Sequence, residues 1–139
     1  MIIRQYQPED EEAVVVLWQK CGLAGHGNDS KNDIALKMAV SPELLLVGVV
    51  EGEVAATVMG GYEGHRGWIN YLAVDPARQK TGLGRQMMAA IEKKLLSLGC
   101  PKINLQVRAG NETAVEFYRK IGYKTEERTS LGKRLIADT

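Results

Sequence analysis

A glycine-containing segment near the middle of the chain separates an apolar run from an amphipathic one. Residues 74–84 read Val74-Asp75-Pro76-Ala77-Arg78-Gln79-Lys80-Thr81-Gly82-Leu83-Gly84. The apolar run over residues 68–74 predicts a strand. Residues 84–98 predict a helix that ends at Gly99, and its apolar face contains Met87, Met88, Ile91, Leu95 and Leu98. The segment is therefore expected to join a strand to the N-terminus of a helix.

This connection has the composition of a phosphate-binding loop. Gly82 and Gly84 allow backbone N–H groups to approach a ligand closely, and the N-terminus of the following helix carries about +0.5 of a charge. Arg78, Lys80 and Arg85 add formal positive charge. Glycines at these positions also serve any tight strand-to-helix turn. Phosphate binding and a purely structural turn both remain open on these residues alone.

Two common nucleotide-binding patterns do not fit this segment. A Walker loop requires GxxxxGK[ST], which the chain lacks, and a dinucleotide fingerprint requires a third glycine where the chain has Met87. The pattern that remains is (Gln/Arg)-x-x-Gly-x-(Gly/Ala), which Gln79, Gly82 and Gly84 match.

The remaining segments predict a mixed α/β layout in one domain spanning residues 1–139. The other expected strands are residues 2–5, 44–50, 54–59 and 103–107. The other expected helices are one opening at Pro8 and ending at Gly22, one capped by Asp29 or Ser30 with Ile34, Met38 and Ala35 inward, and one over 111–121. A terminal hairpin is expected from Tyr123 through Leu131-Gly132. This order contains one obvious βαβ crossover.

Composition excludes several classes of protein. The 139 residues are 25% charged and 45% hydrophobic, as is usual for a globular domain. The two cysteines and two histidines form no cluster of the kind that binds zinc, so no metal is expected. No apolar run approaches the ~20 residues that span a bilayer, and the N-terminus lacks a signal-peptide pattern. We therefore expect a cytoplasmic protein without a membrane partner.

The net charge of +1 conceals an asymmetry between the two halves of the chain. Residues 1–69 contain five Lys and Arg against ten Asp and Glu, whereas residues 70–139 contain thirteen against seven. The second half suits an anionic ligand and the first a cationic one, although chance partitioning of surface charge gives the same numbers. No continuous basic stripe is present, so no nucleic-acid partner is expected.

Two motifs in register resemble those of the GNAT N-acetyltransferases. The first is residues 74–84, and the second is Asn111-Glu112-Thr113-Ala114-Val115-Glu116-Phe117-Tyr118 followed by Gly122-Tyr123. The order of elements also fits, so the resemblance covers essentially the whole chain. It implies a GNAT fold, in which a mixed, mostly antiparallel sheet is splayed between strands 4 and 5 and flanked by about four helices. It also implies an N-acetyltransferase that uses acetyl-CoA as cosubstrate and a primary amine as acceptor.

The resemblance assigns roles to particular residues. It implies that backbone amides of residues 79–84, with Arg85, cradle the pyrophosphate and that residues 72–74 pair with the pantetheine arm. A backbone N–H near Leu72 or Ala73 would stabilise the oxyanion, and Tyr118 would reprotonate the leaving thiolate. The implied cofactor-binding residues are Leu72, Ala73, Val74, Gln79, Lys80, Thr81, Gly82, Leu83, Gly84, Arg85, Asn111 and Tyr118.

The chemistry of Tyr118 agrees with that role. A phenol of pKa ~10 stays protonated at neutral pH and can protonate a thiolate of pKa ~8.5 when it is hydrogen-bonded close to it. A tyrosine beside Phe117 and one turn after Ala114 also fits a packing role in an aromatic core, so both roles stay open on the sequence alone.

The resemblance does not supply a general base for this chain. Trp68 and Gln106 stand where relatives have a glutamate, and neither can accept a proton usefully near pH 7. Glu63, His65 and His26 are candidates, although each is also an ordinary turn or loop residue. Because both glutamates are missing, a second hypothesis is a protein that binds CoA or acetyl-CoA as a sensor or structural module without turnover. Binding of another kind of phosphate is a third hypothesis.

The absence of a strong base favours a weakly basic acceptor. An α-amine of pKa ~7.7–8.0 is neutral in roughly a tenth of molecules at pH 7, whereas a lysine amine near ~10.4 is neutral in fewer than one in a thousand. A small molecule is favoured over a protein terminus, because Gln106 replaces the glutamate of N-terminal acetyltransferases. In the family, the first two helices, their loop and the terminal hairpin frame the acceptor, so Asp29 and Asp33 suit a cationic amine. A homodimer is possible.

Overall fold

The computed structural model describes residues 1–25 and 28–137. These residues belong to two compact units, Met1–Gln106 and Val107–Thr139, each of which is described by itself. The first unit contains the whole β-sheet and three α-helices, and the second contains a fourth helix. The expectation of one domain over residues 1–139 stays a prediction.

A five-stranded mixed sheet forms the centre of the first unit. Its strands follow one another across the sheet in chain order: β1 (Ile2–Gln5), β2 (Leu45–Val50), β3 (Glu53–Tyr62), β4 (Gly67–Val74) and β5 (Ile103–Leu105). The first four strands pair antiparallel, and β4 pairs with β5 in parallel. Short turns suffice between antiparallel neighbours, whereas the parallel pair needs a helical crossover. The predicted mixed, mostly antiparallel sheet is confirmed.

Four helices accompany the strands: α1 (Glu11–Lys20), α2 (Ser30–Val40), α3 (Leu83–Ser97) and, in the second unit, α4 (Glu112–Lys120). The side chain of Asp29 accepts a hydrogen bond from the Asn32 amide at 3.2 Å, so Asp29 is the N-cap of α2, as the sequence suggested. A helix N-terminus leaves several N–H groups without intrahelical partners, and this carboxylate satisfies one of them.

The two faces of the sheet are covered by different helices. Leu45, Val47 and Met59 pack with Trp18 of α1 and Ile34 of α2 in one buried cluster. The intervening strand positions face α3, whose fully buried side chains are Met87, Met88, Ile91 and Leu95. Successive side chains of a strand point to opposite faces, so this alternation places helices on both sides of β2 and β3.

β3 is longer than expected, because two glycines that were predicted to form a turn belong to the strand. The sequence predicted that the strand ends at residue 59 and that Gly60 and Gly61 begin a turn, but β3 continues to Tyr62. A Cβ built on Gly60 would lie 2.8 Å from Ile91 side-chain carbons, whereas one on Gly61 would meet only Lys37 Nζ, at 3.9 Å. Gly60 therefore permits close approach of α3 to the strand.

This asymmetry gives a matched pair of variants. Gly60→Ala is expected to lower the free energy of unfolding by ~1–3 kcal/mol, because Ile91 is fully buried and must shift to accept the new methyl group. Gly61→Ala, one residue further on and on the opposite face, is expected to stay within about 0.5 kcal/mol of the parent chain. Urea unfolding of both variants measures the difference, and equal stabilities would contradict the packing described here.

Two predicted inward-facing residues are exposed. Leu98 is 50% exposed because α3 ends at Ser97, so the helical periodicity no longer directs its side chain. Ala35 is exposed because it lies outside the stripe of α2 that carries Ile34 and Met38. The predicted stop at Gly99 is confirmed: Gly99 has a φ of +89° and follows Leu98, the C-cap of α3.

Two predicted β-segments also differ. β5 ends at Leu105 rather than residue 107, because it pairs only with Gly67–Ile69 before β4 changes course. The terminal hairpin is wrong for the residues that the structure describes: residues 123–137 contain no strand. Leu131, Leu135 and Ile136 are 80–91% exposed. Alternating apolar residues form a stable hairpin only where another layer covers them.

The helices were compared with the length and hydropathy that a membrane span requires. Within residues 1–25 and 28–137, none is both long and apolar enough to cross a bilayer.

Candidate active site

The loop between β4 and α3 is built by side chains that cap its turns. Asp75 accepts a hydrogen bond from the Ala77 amide at 3.0 Å and thereby caps a 3-10 turn, Pro76–Arg78. Thr81 donates its hydroxyl to the Arg78 carbonyl at 2.5 Å. These contacts fix the chain on both sides of Gln79, so the loop reaches α3 in a defined conformation.

The start of α3 requires a glycine. Gly82 is the N-cap and has a φ of +85°, a left-handed conformation that L side chains rarely adopt. Nothing lies within 4 Å of a Cβ built there, so the requirement comes from the backbone and not from packing. Lys80 also has a positive φ, +64°. The backbone amides here therefore lie at the positive end of a fifteen-residue helix.

Two residues of the loop differ from the sequence-based picture. The helix begins at Leu83, one residue earlier than expected, and the Leu83 side chain is buried against the rest of the first unit. A ligand in the loop would therefore meet Leu83 through its backbone. Arg78 has its guanidinium 3.9 Å from the Glu51 carboxylate, so its charge is partly balanced within the chain. Lys80 and Arg85 are exposed.

β4 loses its neighbour on one side before the strand ends. β5 pairs with Gly67, Trp68 and Ile69, and the pairing stops there, whereas β4 continues to Val74 alongside β3. The edge of β4 over residues 70–74 therefore extends beyond the end of β5. This is the splay between strands 4 and 5 that the sequence predicted, and it lies directly before the glycine loop.

The same part of β4 contains a bulge. Thr57 of β3 stands opposite Ala73 and Met59 stands opposite Asn70, so Val58 faces two residues of β4, Tyr71 and Leu72. Tyr71 has a φ of +52°. Bulges change the direction of backbone groups, and a bulky residue in this region of φ carries strain.

Four residues from four elements form a connected cluster around the bulge, which we call the Tyr71 brace: Trp18, Asp33, Thr57 and Tyr71. The Trp18 ring stacks on the Tyr71 ring with centroids 3.7 Å apart, and Trp18 Nε1 donates to Thr57 Oγ1 at 2.8 Å. Thr57 Oγ1 donates to the Tyr71 carbonyl at 2.9 Å, and the Tyr71 hydroxyl donates to Asp33 Oδ2 at 2.5 Å. Trp18 and Thr57 are fully buried.

The contacts of the Tyr71 brace were not predicted from the sequence. Tyr71 lies in an apolar run that reads as a regular strand, and nothing local indicates a positive φ. The one available signal was Thr57, a hydroxyl inside the apolar run over residues 54–59. A buried hydroxyl needs a hydrogen-bond partner, which here proves to be an indole N–H and a backbone carbonyl.

The second unit contains the other two predicted site residues. Asn111 is the N-cap of α4, where its side-chain oxygen accepts from the Ala114 amide at 3.2 Å. Tyr118 contacts Phe117 and Tyr123 edge to face, with ring centroids 5.2 and 5.7 Å apart. Burial raises the pKa of Tyr118 to about 12. The phenol therefore remains protonated throughout the neutral and mildly alkaline range.

Among the described residues, the candidate bases Glu63 and His65 lie in the turn between β3 and β4, and Trp68 and Gln106, where relatives have a glutamate, lie on or next to strands. Glu63 accepts from the amides of His65 and Arg66, so its carboxylate closes the turn before β4. Trp68 lies on β4 with 39% of its surface exposed, and Gln106 is exposed one residue beyond β5. His26 lies outside the described residues. No group of three or more His, Cys, Asp or Glu that could hold a metal occurs within residues 1–25 and 28–137.

Sequence comparison identifies the family of the chain. The profile described as the acetyltransferase (GNAT) family matches residues 9–123. The chain belongs to the GNAT acetyltransferase family. A curated protein of Yersinia pestis named acetyltransferase is 44% identical over 138 residues, which cover 99% of this chain and 98% of that protein. GNAT acetyltransferases use acetyl-CoA.

Structural comparison gives the same fold. Ard1 from Thermoplasma volcanium has a TM-score of 0.78 and 27% identity, covering 87% of this chain and 80% of that one. AAC(6')-Iy in complex with the bisubstrate analog CoA-S-monomethyl-acetylneamine has a TM-score of 0.76 and 16% identity, covering 97% and 98%. The predicted GNAT fold is therefore confirmed.

Proposed function

We propose that this GNAT protein is an acetyl-CoA-dependent N-acetyltransferase that transfers the acetyl group to a primary amine by direct attack. The observation that carries the proposal lies within the first unit. The edge of β4 beyond β5 adjoins a capped glycine loop at the N-terminus of α3. The edge of β4 suits an extended chain of amides, and the glycine loop suits a pyrophosphate. CoA contains both groups, one after the other.

The cofactor-binding roles follow from the chemistry of each feature. The pantetheine arm contains amides that can hydrogen-bond along the free edge of β4 between Leu72 and Val74, as an added strand would. The pyrophosphate then meets the backbone amides of residues 79–84, and the exposed cations Lys80 and Arg85 add charge. Asn111 keeps its side-chain N–H₂ as a donor while its oxygen caps α4.

Leu72 is the better of the two candidate oxyanion donors. In a planar trans peptide the N–H of one residue points opposite to the preceding C=O. The Tyr71 carbonyl is directed at Thr57 of β3. The Leu72 N–H is therefore directed away from Thr57, and we assign it to the acetyl carbonyl of the bound thioester. A fixed donor of this kind stabilises the negative charge that develops when the amine attacks.

Tyr118 supplies the proton for the departing thiolate in this proposal. Its raised pKa means that the proton is present over the working range. Burial disfavours every anion, so a thiolate released in a desolvated site also binds a proton more tightly than in water. The transfer from phenol to thiolate is therefore less unfavourable than the two solution pKa values suggest.

The acceptor is proposed to be a small amine that arrives partly neutral. No carboxylate stands at the position of Trp68 or of Gln106, so deprotonation depends on the amine itself or on a water chain to a more distant group. For an amine of ordinary pKa ~10.4 the reactive fraction rises about tenfold for each pH unit between about 7 and 10.

A pH series with amines of graded pKa tests the proposal. Initial rates of thiol release from acetyl-CoA are expected to follow the neutral fraction of each amine, so weakly basic amines react faster at pH ~7. Because Tyr118 loses its proton only as the pH rises through about 12, no fall in rate from this group is expected up to pH ~10. Reactions without amine are the control. Acetyl-CoA binding without thiol release for any amine would instead indicate a sensor.

A further inference from the structure

The strained residue in β4 is held from three directions. Among described non-glycine residues with positive φ, Glu51 and Lys80 lie in turns, whereas Tyr71 lies within a strand. Thr57 holds its carbonyl, Trp18 holds its ring, and Asp33 holds its hydroxyl. A conformation that costs of order 1–3 kcal/mol persists only when its surroundings determine it in this way.

Asp33 lies in the first turn of α2, but its side chain is not the cap of that helix. The side-chain cap of α2 is Asp29, four residues earlier. The Asp33 carboxylate accepts from the Tyr71 hydroxyl, and no Lys, Arg or His among the described residues forms an ion pair with it. An acidic side chain on α2 is thus fixed to the bulge of β4, 38 residues away in sequence.

The bulge residue immediately precedes the proposed oxyanion donor. Rotation of Tyr71 toward an ordinary strand conformation would turn the peptide that joins it to Leu72. The N–H of Leu72 would then change direction. A catalytic donor that moves by about 1 Å can lose roughly 100-fold in rate.

We propose that Asp33 is a positioning residue for acetyl transfer, acting through the Tyr71 hydroxyl to fix the direction of the Leu72 N–H. The proposal rests on the proposed function of the chain. It assigns no contact between Asp33 and the reacting atoms. The carboxylate is needed here as a hydrogen-bond acceptor, so an amide oxygen in its place should serve nearly as well.

Four variants separate this role from general stability. Tyr71→Phe keeps the ring but removes its hydroxyl, and Asp33→Ala removes the acceptor. Both are expected to lower kcat roughly 10- to 100-fold while the dissociation constant of acetyl-CoA changes less than about twofold. Asp33→Asn retains an acceptor oxygen, and Lys31→Gln changes an exposed charge on the same helix. Both of these are expected to stay within about threefold of the parent kcat.

A second readout does not depend on turnover. The amide resonance of Leu72 in the ¹H–¹⁵N spectrum of the ligand-free protein is expected to move in Tyr71→Phe and Asp33→Ala, and to stay near its original position in Asp33→Asn and Lys31→Gln. Thermal unfolding of each variant identifies any that fail to fold, and the conservative Asp33→Asn variant provides the folded comparison.

Two results would overturn the proposal. One is an unmoved Leu72 resonance in Tyr71→Phe and Asp33→Ala. The other is an equal loss of activity in Asp33→Asn and Asp33→Ala that appears as a higher KM for the amine. That result would show that the negative charge of Asp33 binds the acceptor. Absence of thiol release by the parent chain with every amine would contradict the proposed function instead, and the Leu72 resonance would still test the brace.

Discussion

Replacement of Tyr118 by phenylalanine is expected to lower kcat by roughly 100- to 10,000-fold, the range that a positioned general acid contributes. The acetyl-CoA dissociation constant should change little, because the substitution removes one oxygen and keeps the ring. Without the phenol, the leaving group must depart as a thiolate from a desolvated site or take its proton from water. Single-turnover measurement of thiol release, with calorimetry of acetyl-CoA binding, tests this expectation.

Tyr123→Phe is the matched control for that variant. The Tyr123 ring lies 5.7 Å from the Tyr118 ring in the same edge-to-face cluster, so both variants lose one hydroxyl from one group of aromatic residues. Only Tyr118→Phe is expected to slow the chemical step. Full turnover by Tyr118→Phe at unchanged cofactor affinity would show that another group protonates the thiolate.

Gly82→Ala is expected to weaken acetyl-CoA binding by roughly 10- to 100-fold, the equivalent of one lost hydrogen bond to a charged group. The added methyl group meets no protein atom within 4 Å, but alanine disfavours the φ of +85°. The loop would therefore relax, and its amides would no longer converge on the pyrophosphate. Isothermal titration calorimetry with acetyl-CoA measures the change.

A second glycine separates backbone strain from cofactor binding. Gly52, in the turn between β2 and β3, has a φ of +79° and likewise has nothing within 4 Å of a built Cβ. Gly52→Ala and Gly82→Ala should each lose about 1–2 kcal/mol of stability. Only Gly82→Ala should bind acetyl-CoA more weakly. Equal affinities in the two variants would remove the loop from the cofactor site.

Local chemistry made much of the fold predictable. Helix α3 could be placed to within one residue because Gly82, Gly84 and Gly99 mark its ends and four buried apolar residues mark its face. The cap of α2 by Asp29 was predictable for the same reason, since N-capping joins residues three apart. A mixed, mostly antiparallel sheet splayed between strands 4 and 5 was implied by the resemblance of two motifs to one family, and the observed strand pairing confirms it.

Features that depend on distant residues were not predictable from sequence. Gly60 and Gly61 read as a turn because glycine is common in turns, whereas Gly60 lies in a strand where Ile91 of α3 approaches closely. The contact between Asp33 and Tyr71 joins two elements and follows no local pattern. The alternation after Tyr123 suggested strands, but that pattern records only periodicity and not whether a covering layer exists.

Acetyl transfer to an amine is measured most directly by the stoichiometry of its products. The protein is mixed with acetyl-CoA and a weakly basic primary amine, and both the free thiol and the acetylated amine are quantified by mass spectrometry. We predict equal amounts of the two, at a rate that rises with the neutral fraction of the amine. Tight binding of acetyl-CoA without thiol or acetylated amine, across amines of every pKa, would contradict acetyl transfer by this protein.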